Sequence, residues 1–314
     1  MKRIIITLGL TLTLLTACTL DDALDIIDMV VDLVDQDELK QTELQSTLEH
    51  QNIDIHEMQV HFIDVGQADA TLIRFYDDDG EFNILYDTGD WQGNEVVPYL
   101  KSLQIKDLDL VIISHPHADH IGQLSKVIDA FPIGEIWMTE NEANTQLFMN
   151  TILAIEEADI PLLFPVAGHT IDYGPLHMTV LHPGTDLSGD LNRDSLSTHM
   201  TYGDVSIMFT GDADQKAEEE IMGHFKDIQA NILHLGHHGS NTSSHDAFVK
   251  RVDPSLAIYS AGLDNKYGHP HDEVIDTIQA LQIDLYGTIE DGTIVLTTDG
   301  NDIQIDTYPH HEKN

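Results

Sequence analysis

The stretch Leu110-Val111-Ile112-Ile113-Ser114-His115-Pro116-His117-Ala118-Asp119-His120 decides how this chain folds and what it holds. An apolar β-type run, Leu110 to Ile113, leads into four side chains that can bind a metal within six residues, and a helical pattern follows from Ile121 to Ala130. In an extended segment residues i and i+2 point the same way, so His115 and His117 can share one ion. Asp119 and His120 lie past the corner, where the chain has turned, and can face a second ion a few ångströms away. The spacing predicts two metals at a strand-to-helix corner.

Ligands should then recur at the ends of later strands. Phe209-Thr210-Gly211-Asp212 ends one strand, and the Asp212 carboxylate can lie between two cations. Its other use would be as a helix N-cap, for which Asp214 is better placed. Leu235-Gly236-His237-His238-Gly239-Ser240 ends the next strand, with glycines that let backbone approach closely. Here His237 is expected as the ligand, with His238 and Ser240 behind the ligands or against substrate.

The 314 residues, 41% of them hydrophobic, suffice for one large domain. Met1-Lys2-Arg3 and the apolar run Ile4 to Leu15 read as a secretion signal, too short to span a bilayer. It closes on Leu15-Thr16-Ala17-Cys18, which resembles the lipobox of bacterial lipoproteins and makes Cys18, the single cysteine, the expected lipidation site. No disulfide within the chain and no thiolate metal ligand is then expected. Residues 1–18 are thus a lipoprotein signal, 19–57 an acidic helical or disordered spacer with Asp21, Asp25, Asp28, Asp32 and Asp35 at helical spacing, and 58–314 the functional domain.

From Met58 the texture is strand-rich, with strands expected at 60–65, 70–76 and 82–87 as an antiparallel meander. Helices are expected at 95–103, 146–158, 215–225, 245–251 and 273–281. Further strands are expected at 135–138, 177–181, 205–210, 231–235, 256–260, 293–297 and 303–307, the last two joined through Asp299-Gly300. Strands and helices alternate in both halves, an α/β pattern.

The formal charge of −41, from 14 Lys+Arg against 55 Asp+Glu, repels polyanions at long range and argues against a stable nucleic-acid complex. It suits an extracellular protein adapted to salt, where the Debye length falls from about 8 Å to about 3 Å at 1 M.

The set Phe62-Ile63-Asp64-Val65-Gly66-Gln67-Ala68-Asp69-Ala70, Asp87-Thr88-Gly89, His115 to Gly122, Phe209 to Asp212, Gly236 to Ser240 and Tyr267-Gly268-His269-Pro270 resembles the metallo-β-lactamase superfamily. More narrowly it resembles the hydrolase domain of ComEC-type competence proteins, from about residue 58 to 308. The resemblance implies a four-layer αββα sandwich with the metal site along one edge. It implies ligand roles for His115, His117, Asp119, His120, Asp212 and His237, and orienting roles for Asp64 and Asp87. The superfamily usually adds a histidine between the first corner and the bridging aspartate; His182 is the candidate, with His169 and His199 as competitors. The membrane-channel segments of the ComEC family have no counterpart here, so a hydrolase and not an uptake pore is expected.

Nitrogen and oxygen ligands without thiolate suit Zn²⁺, with Mn²⁺ or Fe as alternatives. A metal pair lowers the pKa of bridging water from 15.7 towards about 7 and polarises the scissile group. Counted with Asp119, Asp212 and hydroxide, such a site carries roughly +1 and favours an anion such as phosphate. Arg193, in Asn192-Arg193-Asp194-Ser195, and Lys266 are the basic residues of the motif-bearing loops that can steady it, or simply face solvent. Asn192 and Ser195 are expected behind the ligands or against substrate. His269 is expected to give a proton to the leaving oxygen or to hold substrate, and Asp119 to share in catalysis. The leading expectation is a surface-anchored dinuclear hydrolase of phosphodiesters or phosphoesters, extracellular nucleic acid included. The alternatives are hydrolysis of a β-lactam, lactone or thioester, or a catalytically silent binding lipoprotein.

Overall fold

A computed structural model describes residues 57–77, 80–263 and 265–309. The signal, the lipidation site Cys18 and the acidic spacer up to residue 56 lie outside the described residues. The strands are β1 (Met58–Phe62), β2 (Thr71–Asp77), β3 (Gly80–Tyr86), β4 (Leu108–Ile112), β5 (Ile133–Trp137), β6 (Leu162–Leu163), β7 (Thr170–Tyr173), β8 (Leu176–His182), β9 (Ser197–Tyr202), β10 (Val205–Phe209), β11 (Ile232–His234), β12 (Leu256–Tyr259), β13 (Asp284–Gly287), β14 (Thr293–Thr298) and β15 (Ile303–Tyr308). The helices are α1 (Val96–Ser102), α2 (Leu124–Ala130), α3 (Gln146–Glu157), α4 (Gln215–His224), α5 (Asp246–Val252), α6 (Asp272–Ala280) and the single turn α7 (Thr288–Asp291).

Period-two alternation sorts the side chains into three cores. Along β4, Leu110 and Ile112 face one way and Val111 the other; along β10, Ile207 and Phe209 oppose Met208. Leu110, Ile112, Ile207 and Phe209 meet in a central core between two sheets. Val111 and Leu85 pack outward against Leu100 of α1 and Leu124 and Val127 of α2. Met208 and Leu233 pack outward against Ile221 of α4, Phe248 of α5 and Ile278 of α6. Three cores in sequence make four layers, helix, sheet, sheet, helix, as expected. Phe209 stacks on Tyr86 with ring centroids 4.8 Å apart, and Phe62 lies 6.1 Å from it on the same interface. Truncating such a buried ring costs about 3–5 kcal/mol.

The first sheet runs β15-β14-β1-β2-β3-β4-β5-β6 and the second β13-β12-β11-β10-β9-β8-β7. The β1-β2-β3 meander is antiparallel as expected, whereas β3 to β6 and β10 to β13 are parallel. Parallel strands deliver all their carboxyl ends to one side, where open α/β folds bind ligands. The loops that follow β3, β4, β10, β11 and β12 therefore converge. The helix expected from Ile121 begins only at Leu124, because residues 118–123 form turns laid against the loop after β3. A Cβ at Gly122 would collide with the Trp91 amide nitrogen and the carbonyls of Ala118 and Gly89, so glycine is required there.

Candidate metal centre

The corner after β4 is a bend, and it brings His115 Nε2 to 2.9 Å from His117 Nδ1. Asp87, at the end of β3, holds this corner from behind. Its Oδ1 accepts the Ser114 amide at 2.7 Å, and its Oδ2 accepts the Ser114 hydroxyl at 2.7 Å and His120 Nδ1 at 2.8 Å. Those bonds fix ring tautomers. The one Ser114 hydroxyl proton is committed to Asp87, so against His115 Nδ1, 3.1 Å away, that oxygen can only accept. His238 Nδ1 lies 3.0 Å from the Ser260 carbonyl, which also only accepts. In their neutral form His115, His120 and His238 thus keep the proton on Nδ1, which leaves Nε2 at the front for a metal, the usual preparation of a histidine ligand.

Those lone pairs surround Asp212. His120 Nε2 is 3.3 Å from its Oδ1, while His115 Nε2 and His237 Nε2 are 3.5 and 3.4 Å from its Oδ2. Two potential ligand groups share this carboxylate: His115, His117 and Asp212, and a second set with His120, His238 and Asp69. His120 Nε2, His238 Nε2 and Asp212 Oδ1 are buried without a hydrogen-bond partner. Buried polar atoms are rarely left so, and a divalent cation would satisfy all three at once.

Asp119 belongs at the front of the second set, with Oδ2 3.5 Å from His238 Nε2 and Oδ1 4.0 Å from His120 Nε2. Asp69 stands at the back: its Oδ2 is 3.5 Å from His238 Nδ1 and 3.9 Å from His120 Nδ1, the proton-bearing nitrogens. His234 Nε2 lies 3.5 Å from Asp69 Oδ1 and 3.0 Å from the Ser260 hydroxyl, closing the rear network. Asp69 and His234 were not singled out as site residues in the sequence. Asp64, expected as an orienting carboxylate, accepts the Gly66 amide on its Oδ1 at 3.1 Å in the loop after β1.

Electrostatics follow the same plan. Burial alone would lower His120, but Asp212 and Asp87 outweigh it and raise its pKa well above the usual value. Burial also opposes His238, yet the Asp69 and Asp119 carboxylates beside it bring it to about 9. Burial would raise Asp212, but the charge of His120 above all holds it well below the carboxylate range. Asp119 is likewise lowered, by His238 and His120 against burial. Asp87 is raised, chiefly by burial. His115 is pushed well down by burial and by the His120 charge. The ionised carboxylates that stabilise positive charge on the His120 and His238 rings would equally stabilise a metal cation there.

In the adjacent pair His237 turns its Nε2 to Asp212, and His238, expected behind the ligands or against substrate, enters a ligand group. His237 and His238 both adopt left-handed backbone, at φ 52° and 57°, which costs about 1–3 kcal/mol per residue and is found at functional sites. The turn sends the His238 ring, 1% exposed as a residue, into the ligand group, and sets His237 nearer the surface, its Nδ1 3.0 Å from Thr242 Oγ1. Ser240 Oγ accepts from that same Thr242 hydroxyl at 3.1 Å.

His182 does not join: its Nδ1 meets the Ser195 carbonyl at 3.2 Å and its Nε2 meets Glu220 at 3.3 Å. The competitors are also elsewhere, His199 on the Gln229 carbonyl at 2.9 Å and His169 edge-on to Trp137. In that part of the site stands Asn192, whose Oδ1 is buried without a hydrogen-bond partner. Ser195 Oγ accepts the Asp212 amide at 3.1 Å and lies 3.4 Å from His115 Nδ1, so it positions both.

A pocket of 330 Å³ opens over these residues, with Gln67, Asn192, Tyr267 and His269 on its walls. The Gly262 amide, which only donates, lies 3.1 Å from Gln67 Oε1; Gln67 Nε2 is then the donor to His269 Nδ1 at 3.3 Å. His269 therefore carries its proton on Nε2. Burial first, then the charges of His238 and His237, lower its pKa to about 4, so at neutral pH it is a neutral N–H donor and not an imidazolium acid. Neither basic candidate reaches the pocket. Arg193 is bound to Asp214, the α4 N-cap, at 2.9 Å, and Lys266 lies over the Tyr267 ring at 5.0 Å.

Comparison with known proteins agrees with this architecture. Residues 63–262 match the family described as the metallo-beta-lactamase superfamily. ComE operon protein 3 of Bacillus subtilis is 29% identical over 255 residues, 76% of this chain and 33% of that protein. Recombination protein 2 of Haemophilus influenzae is 31% identical over 242 residues, 75% of this chain and 28% of that protein. The chain thus spans about a third of the length of these curated relatives. The likeness to ComEC-type competence proteins read from the motifs is borne out by them. The metallo-beta-lactamase fold protein YhfI from Bacillus subtilis superposes with a TM-score of 0.51 at 14% identity, covering 77% of this chain and 100% of that one, a likeness of fold. Since the family match runs from the loop after β1 to the loop after β12 and encloses every strand end that feeds the centre, the chain belongs to the metallo-beta-lactamase superfamily and is a hydrolase of that fold.

Proposed function

We propose that this chain hydrolyses phosphodiester bonds at a centre holding two divalent ions, zinc in the first place, with His115, His117 and Asp212 on one and Asp119, His120, His238 and Asp212 on the other. The observation that carries it is the set of buried, unpartnered donors, His120 Nε2, His238 Nε2 and Asp212 Oδ1, grouped on a carboxylate that serves two ligand sets. Ions there would acidify water towards neutral pH and polarise the scissile group. Ser114, Asp87, Asp69 and Ser260 hold the imidazoles in the ligating tautomer. Gln67 holds His269 with Nε2–H available to a substrate oxygen, and Asn192 offers its amide beside it.

Charge favours a phosphate. Two divalent ions, +4, against Asp119 and Asp212, −2, leave the front of the centre at roughly +2, while Asp69 and Asp87 lie behind the rings. The neutral walls, Gln67, Asn192, Tyr267 and His269, match a diester with one negative charge. The name of the Haemophilus influenzae relative, which speaks of recombination, is in keeping with a phosphodiester substrate. Attachment to the extracytoplasmic face of the cell membrane through a lipidated Cys18 belongs to this proposal; among the described residues no helix is long and apolar enough to cross a membrane. Cys18→Ser is expected to release the chain from the membrane fraction, and retention there would reject the anchor.

The decisive experiment is metal analysis with a substrate panel. About two ions per chain and EDTA-sensitive cleavage of bis-p-nitrophenyl phosphate, lost in His117→Ala, are expected. Turnover of nitrocefin or a lactone without any phosphodiester would replace this reading with acyl hydrolysis. Bound metal with no ester turnover would leave a binding protein.

A further inference from the structure

Beside the metal pocket, and sharing His117 and Ala118 with it, lies a larger groove of 890 Å³. Trp91, Pro116, Ala143, Leu147 and Leu191 give it an apolar lining. Glu142 is the carboxylate on its wall, and no lysine or arginine is among the described residues lining it. Trp91 is 52% exposed, yet its loop is fastened to the metal corner. Its amide donates to the Ala118 carbonyl at 3.0 Å, Gly122 leaves room for that approach, and Lys126 Nζ donates to the Gly93 carbonyl. An indole held open to solvent on an anchored loop, next to a phosphate-sized site, is a platform for a flat apolar group.

Resting on the phosphodiester reading above, we propose that the groove receives an uncharged apolar or aromatic substituent of the substrate while the phosphate lies at the centre. The preferred substrate is then a small diester with a single phosphate, not a polynucleotide. Three observations point this way. The groove is continuous with the site through His117 and Ala118, so a substituent on the bound phosphate enters it directly. A further phosphate in it would be desolvated beside Glu142 with no cation to pair it. The −41 charge of the chain repels a long polyanion before it arrives.

The zinc-loaded full chain is assayed with p-nitrophenyl phosphodiesters that differ only in their second substituent: methyl, phenyl, or a nucleotide bearing a further phosphate. The phenyl ester is expected to exceed the methyl ester in kcat/KM by about tenfold, equivalent to about 1.4 kcal/mol, with the phosphate-bearing ester below both. Trp91→Ala is expected to bring the phenyl-to-methyl ratio close to one. A ratio near one in the native chain, a ratio that survives Trp91→Ala, or fastest turnover of the phosphate-bearing ester overturns the proposal. Binding is read separately, by titrating diphenyl phosphate while following tryptophan emission. The chain has 2 tryptophans, and Trp137 is buried between the sheets, so a change lost in Trp91→Phe reports the groove. Quenching without turnover of any phosphodiester keeps the groove and rejects the phosphodiester reading. Turnover without quenching or phenyl preference does the reverse.

Discussion

Asp69 and Asp64 lie five positions apart in one loop, and their carboxylates take different partners. Asp64 turns back on the Gly66 amide, while Asp69, 3% exposed between Ala68 and Ala70, reaches the rear of His120 and His238. A carboxylate behind a ligating imidazole fixes its orientation and raises its basicity, and removing one typically costs 10–100-fold in metal affinity. Asp69→Asn is therefore expected to weaken zinc binding by about that factor, measured by competition with a chelator. His182→Gln is expected to leave it unchanged, because both His182 ring nitrogens are engaged by Ser195 and Glu220. Equal losses in the two variants would reject this division of roles. The ligand types were legible in the sequence because H-x-H-x-D-H packs them into one corner. The choice between Asp64 and Asp69, and between His237 and His238, was not, because it is made by loop backbone: a turn closed on Gly66, and two consecutive left-handed residues whose only outward sign is the flanking pair Gly236 and Gly239.

Strand β1 carries a test at the next scale. Val60 and Phe62 enter the central core, so His61 must face outward, under α1, where its Nδ1 meets the Tyr99 hydroxyl at 2.8 Å. Burial, then the charge of Arg74, lower its pKa from 6.5 to about 3. Between those values the unfolded chain binds the proton and the folded chain does not. Stability from this residue is thus full above pH 6.5 and falls as the pH drops towards 3, by up to about 1.4 kcal/mol per unit. Denaturant unfolding at pH 7 and pH 5 should show a smaller difference in His61→Gln than in the native chain; identical differences would remove His61 from the acid response. The strands legible in the sequence were those whose alternation is apolar on at least one face, such as β4 and β10. Those missed, β6, β7, β9 and β13, are short or polar. Edge strand β7 reads Thr-Ile-Asp-Tyr, and β9 spends Ser197, Thr198, His199 and Thr201 around the two core residues Met200 and Tyr202. Hydrogen bonding to neighbours, not hydrophobic period, holds them in the sheet.

Across the whole molecule the largest quantity is the charge: 55 acidic residues face 14 basic ones. Some of the positive complement is spent locally, Arg193 on Asp214 and Lys250 on Asp246 near the surface and Arg74 on Glu81 within the fold. Isolated surface pairs such as the first two are worth at most about 1 kcal/mol each, too little to offset repulsion spread over the surface. That repulsion acts in the compact state more than in the expanded one, and it is screened as the Debye length shrinks from about 10 Å at 0.1 M salt to about 3 Å at 1 M. Raising NaCl across that range should therefore stabilise the chain. Each 1 kcal/mol gained corresponds to about 2–4 °C in Tm for a domain of this class. The rise should exceed that produced by sucrose at equal osmolality, since sucrose strengthens burial without screening charge. A Tm that is flat or falling with NaCl, or one matched by sucrose, would show that surface repulsion does not limit this fold and that its acidity serves something other than salt tolerance.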